Sequence, residues 1–272
     1  MRLRSTTEDG TRRFLGIPVS FPTRSNTTGK ILRCFEPENP AIFVPRTAGI
    51  GWDLNIGAIA VKLGLIRPDD SLPDLEAYIP PTTRRALASA PWIGAASTCL
   101  YARNIARARR VVTKWHITGL PQRYSSGKAA AALSAGTSIA LAALPIVISR
   151  IPTGNTSESE SEPTSTQPAS ALDTARSADI VLTAHALGLQ SLLLFSAEAA
   201  RREIKHPHTR QLIASIGLLA APIVTSAVLV ATVKQALNGV SRALKSSSHT
   251  PASQPMPAPA SASTKEDDNE RI

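Results

Sequence analysis

Gln211–Val233, QLIASIGLLAAPIVTSAVLVATV, is a run of 23 residues without a charge, set between Arg210 and Lys234. A second run, Ala129–Ser149, AAAALSAGTSIALAALPIVIS, holds 21 uncharged residues between Lys128 and Arg150. A helix rises about 1.5 Å per residue and bilayer hydrocarbon is ~30 Å thick, so each run is long enough to cross. Basic residues at the ends can reach lipid headgroups. Ile180–Ala197, 18 uncharged residues, is a third and shorter candidate. The expected fold is a small α+β N-terminal module followed by an α-helical transmembrane bundle, with a disordered linker and C-terminal tail.

Outward from these runs the chain divides by composition. Residues 1–13 are polar and read as a flexible N-terminus, without the apolar core of a secretory signal. Residues 14–80 read as the module. There Pro37, Asn39 and Pro40 mark a turn, and Ala41–Val44 a short strand closed by Pro45. Gly49 and Gly51 mark a tight turn before Trp52–Leu54. Asn55 is an N-cap for a helix over Ile56–Ile66, with Ile59, Leu63 and Ile66 on one face and a stop at Pro68. Phe43 and Trp52 are expected to form the apolar nucleus between strand and turn.

Residues 86–115 are expected to be an interfacial or spanning helix: 86–102 lack charge, and Arg103–Val112 continue it with recurring arginines. Transmembrane helices are expected at 129–149, 180–197 and 211–234. The 150–179 segment is a mostly disordered acidic loop, and 246–272 a disordered tail. Ser138–Ser149 aligns with Ser215–Ser226 at eight of twelve positions, with Pro145 and Pro222 in register. Duplication and shared composition both account for this.

The formal net charge is +10. Residues 103–128 carry seven basic residues and no acid, and 198–210 carry four against two. Basic short loops stay in the cytoplasm, so the acidic 150–179 loop is expected outside. If 86–102 span, the module lies outside; if not, it is cytoplasmic. The cytoplasmic placement is the expectation, because an 85-residue charged module crossing without a signal is the harder event. Aromatics are only 4% and no basic stripe interleaves with them, which disfavours nucleic acid.

The segment Phe35-Glu36-Pro37-Glu38-Asn39-Pro40-Ala41-Ile42-Phe43-Val44-Pro45, with Gly49-Ile50-Gly51-Trp52-Asp53-Leu54-Asn55 after it, resembles the bacterial domain of unknown function family 5808. The upstream Phe14-Leu15-Gly16-Ile17-Pro18 resembles that family's lead-in, and the likeness covers about 14–66. Glu36 and Ala41 depart from the pattern. The resemblance implies a bacterial protein whose module is joined to membrane helices. It implies no activity, cofactor or catalytic residue.

Candidate interaction residues are Asn39, Phe43, Trp52 and Asn55, which also read as turn, hairpin and cap residues. Asp179, Thr183 and Gln190 share one helical face and form a candidate intramembrane polar stripe, either joining helices or lining a path. His185 lies off that stripe. Cys34 and Cys99 read as unpaired thiols, and His206-Pro207-His208 lacks further ligands for a metal site. No catalytic set, cofactor or metal is called for. The expected protein is a non-enzymatic interaction or signalling protein of the cell membrane. A transporter-like or immunity-like bundle is the alternative, and a basic nucleic-acid-associated protein the third. Expected partners are the bilayer with its anionic headgroups and a protein partner or a second copy.

Overall fold

The computed structural model describes residues 4–6, 12–14, 17–20, 27–47, 49–115, 121–149, 168–205 and 210–248. The module comprises β1 (Arg4–Thr6), β2 (Arg12–Phe14), β3 (Ile17–Ser20), α1 (Thr27–Leu32), β4 (Phe43–Pro45), β5 (Gly49–Ile50), β6 (Trp52–Leu54), α2 (Ile56–Lys62) and α3 (Leu72–Leu75). One antiparallel sheet has the order β1-β2-β3-β5, and β4 pairs separately with β6. Residues 4–6, 12 and 13, read from sequence as part of a flexible terminus, are therefore in strands.

Two glycines make the β5–β6 corner. Gly49 and Gly51 have φ of 99° and 107°, a region that a side chain makes costly. Asn55 then caps α2, its Oδ1 accepting from the Ala58 amide at 3.2 Å. The helix stops short of Ile66. Gly64 takes φ 67°, and the Leu65 amide donates to the Ala60 carbonyl at 2.9 Å, which closes the helix as a glycine C-terminal motif. Gly64 is thus the stop signal, ahead of Pro68. Leu63 falls in the cap and is exposed, while Ile66 is buried from the following loop.

The second half holds α4 (Pro81–Ile105), β7 (Val111–Trp115), β8 (Pro121–Ser125), α5 (Gly127–Ser149), α6 (Pro168–Lys205) and α7 (Arg210–Ser248). Among the described residues, three helices are long and apolar enough to cross a membrane: Gly127–Ile148, Leu172–Ala200 and Ser215–Ser246. The structure moves several boundaries. The helix expected over 86–115 ends at Ile105, and the arginine-rich stretch enters a β7–β8 hairpin. Val111, Val112 and Thr113 are β-branched and favour a strand there. Residues 168–179, read as loop, form the first three turns of α6, opened by Pro168. Helix α7 runs to Ser248, past the expected start of the tail. Residues 150–167, 249–272 and 206–209, with His206 and His208, lie outside the described residues.

The four helices run antiparallel in sequence order. Thr83, in the first turn of α4, bonds Gln235 late in α7. At the other end Ile105 packs with Ala130 of α5, Ala197 and Ala200 of α6, and Val111 of the hairpin. The larger core joins the module to the bundle: Phe35, Ile56, Leu72 and Ile79 pack with Val181, Ala184, Leu229 and Val233. Small residues permit the close approaches. A side chain at Gly188 would strike Thr225 and Ala221 of α7, and one at Gly239 would strike the Tyr78 carbonyl. From Ala184 to Ala197 is about 20 Å along α6. Module and hairpin therefore occupy opposite ends of the bundle.

Candidate functional site

A groove of about 790 Å³ separates the module from α6 and α7. Its module wall is built by Trp52, Leu54, Ile59, Ala60, Leu63 and Leu65. Its floor is Leu182, His185 and Leu189 of α6 with Ala221, Pro222 and Ile223 of α7. The β4–β6 register explains the rim. Phe43 faces Leu54 and Pro45 faces Trp52, so the pairs share one face of the hairpin, and Val44 turns inward from the other. Phe43 is 63% exposed and Trp52 44%. The expected Phe43–Trp52 nucleus is thus corrected: both rings lie on the surface, and Trp52 edges the groove.

Polar groups cluster at one end. Arg46 Nε donates to Asp53 Oδ1 at 3.0 Å, and the Thr47 hydroxyl donates to the Lys30 carbonyl at 3.0 Å. Burial pushes the Cys34 thiol up to about 11, and the negative charges of Asp53 and Glu36 add to the shift. The thiol stays protonated at neutral pH and is a poor nucleophile. His185 Nδ1 lies 2.8 Å from the Val181 carbonyl of its own helix.

The other two candidate interaction residues hold the fold. Asn55 is 0% exposed. Its Oδ1 accepts from the Glu36 and Ala58 amides at 3.0 and 3.2 Å. Its Nδ2 donates to the Glu36 and Asn39 carbonyls at 2.8 and 3.1 Å. Asn39 closes the same turn, Nδ2 donating to Glu36 Oε2 at 3.1 Å and Oδ1 accepting from the Ala41 amide at 3.0 Å. Four satisfied bonds leave the Asn55 side chain nothing for a ligand.

The polar stripe turns inward and separates into two parts. Asp179 and Thr183 line a cavity of about 280 Å³ at the module end, with Glu76, Arg84 and Arg176. Glu76 is 2% exposed, and Arg84 Nη1 meets its Oε1 at 2.6 Å. Arg84 also donates to the Glu76 and Ile79 carbonyls at 2.7 and 3.3 Å. Arg176 Nη1 stands 3.7 Å from Oε2, which accepts no hydrogen bond from the described residues. Deeper, Gln190 is 1% exposed, and its Nε2 donates to the Pro91 and Ser138 carbonyls at 2.8 and 3.0 Å. One side chain of α6 thereby ties α4 and α5. Its amide fits because position 94 is glycine: a side chain there would strike it. Ser138 Oγ donates to Thr98 Oγ1 at 3.1 Å below.

Sequence reading missed the Glu76–Arg84–Arg176 set. The signal was an acid framed by Leu72, Leu75 and Ile79, which buries it with its neighbours. Among the described residues no group of His, Cys, Asp or Glu could hold a metal.

Residues 37–62, from the Glu36–Asn39 turn through the β4–β6 hairpin to the end of α2, match the profile of the Family of unknown function (DUF5808). The match covers the scaffold that Asn55 organises and includes Trp52 at the groove edge. No curated protein and no solved structure matches the chain.

Proposed function

We propose a non-enzymatic multi-pass membrane protein whose module is a binding head seated on its own helices and coupled to them. The groove carries this reading. Head and floor belong to one core, so whatever fills the groove bears on α6 and α7 directly. The side chains lining it are mostly apolar, joined by Thr47, His185, Thr225 and Ser226, one inert thiol and one ion pair. Binding is the use that such a lining supports.

The placement we propose for the head departs from the cytoplasmic side expected from sequence. Helix α4 is about 37 Å long and runs beside α5 and α6 from the module end to the hairpin end. The described residues of the hairpin end, 103–115, 121–128, 198–205 and 210, carry eleven basic residues against two acids, a net +9 of the chain's +10. The cytoplasmic side retains such charge, and its anionic headgroups attract it. That assigns four crossings, the hairpin inside and the module outside. Arg110, stacked 4.7 Å over the Tyr124 ring, shows how the hairpin presents its cations.

Complementation of a deletion strain under envelope stress tests the binding role. Leu54→Glu, which places a charge on the groove wall, should abolish rescue while the protein still inserts at normal abundance. Rescue equal to wild type would remove the reading. The transporter-like alternative draws on the 280 Å³ cavity and on Gln190 Oε1, which accepts no hydrogen bond from the described residues. Under it, Gln190→Leu abolishes rescue instead.

A further inference from the structure

We infer that the groove holds an acyl chain of a membrane phospholipid, with the headgroup at the rim beside Arg46. This rests on the binding-head reading and names its ligand class. The floor is the first observation: Leu182, Leu189, Ala221 and Ile223 lie within the two candidate spans, so the floor continues the surface that meets bilayer hydrocarbon. The rim is the second. Trp52, Leu54, Leu63 and Leu65 are exposed, so an apolar surface continues from floor to mouth beside the few polar side chains, His185, Thr225 and Ser226 among them. Water against such a surface is unfavourable, whereas a hydrocarbon chain can slide in from the adjoining leaflet.

Size and charge agree. The volume lies in the range of sites that enclose a small ligand, about 300–1,000 Å³. Among the described residues Asp53 meets Arg46 at Nε, which leaves the two Nη groups as the donors a phosphate oxygen would meet. The chain's own long unplaced stretches do not suit the groove. Residues 150–167 and 249–272 offer only Ile151, Met256 and Ile272 as large apolar side chains.

Photolabelling tests this with the full-length protein in phosphatidylethanolamine–phosphatidylglycerol vesicles doped with a phospholipid bearing a diazirine on its acyl chain. After irradiation and digestion, adducts are expected on Ile59 of the module and on Leu182 and Ala221 of the floor. Leu218 and Leu219, exposed on α7 outside the groove, should also be labelled and certify insertion. Label on Leu218 and Leu219 with none on Ile59 would overturn the inference. Ser226→Trp, which narrows the groove that Ser226 lines, should remove the Ile59 adduct and keep that at Leu218; retention of both would also overturn it. If this variant does not insert, the wild-type map decides alone. Absent groove adducts with lost rescue by an inserted Ser226→Trp protein would defeat the lipid and spare the binding head. Groove adducts with full rescue would do the reverse.

Discussion

The two ends of the bundle are built on opposite principles. At the module end, α6 and α7 pack beneath a continuous apolar core, and one acid is drawn in with it, met by two arginines that stay partly exposed. At the hairpin end the core is small, and the charge stays outside, where Arg107, Arg109, Arg110, Lys114 and Arg123 are all exposed. Burial of a charge is costly unless it is paired, so the module end depends on matched partners. The hairpin end depends on little packing and leaves its cations exposed. Sequence alone treats both as charged segments flanking apolar runs; packing separates an end that buries a charge from one that does not.

Substitutions should break this contrast in a graded way. The largest effect is expected for Arg84→Ala, which leaves buried Glu76 only the more distant Arg176 and frees two carbonyls. Removing one partner of a buried pair costs about 3–5 kcal/mol, and thermal unfolding in detergent should show a loss near the lower figure because Arg84 is itself partly exposed. Asn55→Ala comes next. It leaves the buried groups at Glu36, Asn39 and Ala58 short of partners, at about 2–3 kcal/mol by the same assay. A loss as small as a surface substitution gives would mean that the turn does not depend on Asn55.

Trp52→Ala is expected to cost only about 1 kcal/mol, since nearly half of the ring is already exposed. The ranking of Asn55→Ala above Trp52→Ala sharpens the point, because the sequence assigned the nucleus to Trp52. Gln190→Leu should cost about 1 kcal/mol or less, the usual scale for hydrogen bonds between membrane helices. Arg109→Glu with Arg110→Glu should move stability by no more than about 0.5 kcal/mol. The pair should instead weaken the preference of the hairpin face for anionic vesicles, seen as a loss of salt-sensitive vesicle attraction. A large stability loss there would put the hairpin in the same class as the module end.

How much was legible follows from what each signal measures. Uncharged runs measure length and apolarity, and they located α5, α6 and α7. Asn55, Gly49 and Gly51 carry backbone chemistry that acts locally, and they took the expected roles. Gly64 carried the same kind of signal and was passed over for Pro68. Phe43 and Trp52 were misplaced because an apolar side chain in a membrane protein can leave water in two ways, into a core or toward lipid; hydropathy does not distinguish them. Glu76 with Arg84 and Arg176, and Gln190 with Pro91 and Ser138, are partners 8 to 100 positions apart. Helical spacing showed that Gln190 shares a face with Thr183, but not what that face meets. The hairpin hid within a basic stretch that helix periodicity seemed to claim.

The central claim is that module and hairpin face opposite sides of the membrane. Single cysteines at Glu38 and Gln122, both exposed in the folded protein, test it in a background with Cys34 and Cys99 replaced. An impermeant maleimide added to intact cells should label Glu38→Cys and leave Gln122→Cys untouched until the membrane is opened. Labelling of both positions from outside, or protection of both until lysis, would contradict the four-crossing account and place the two ends on one side.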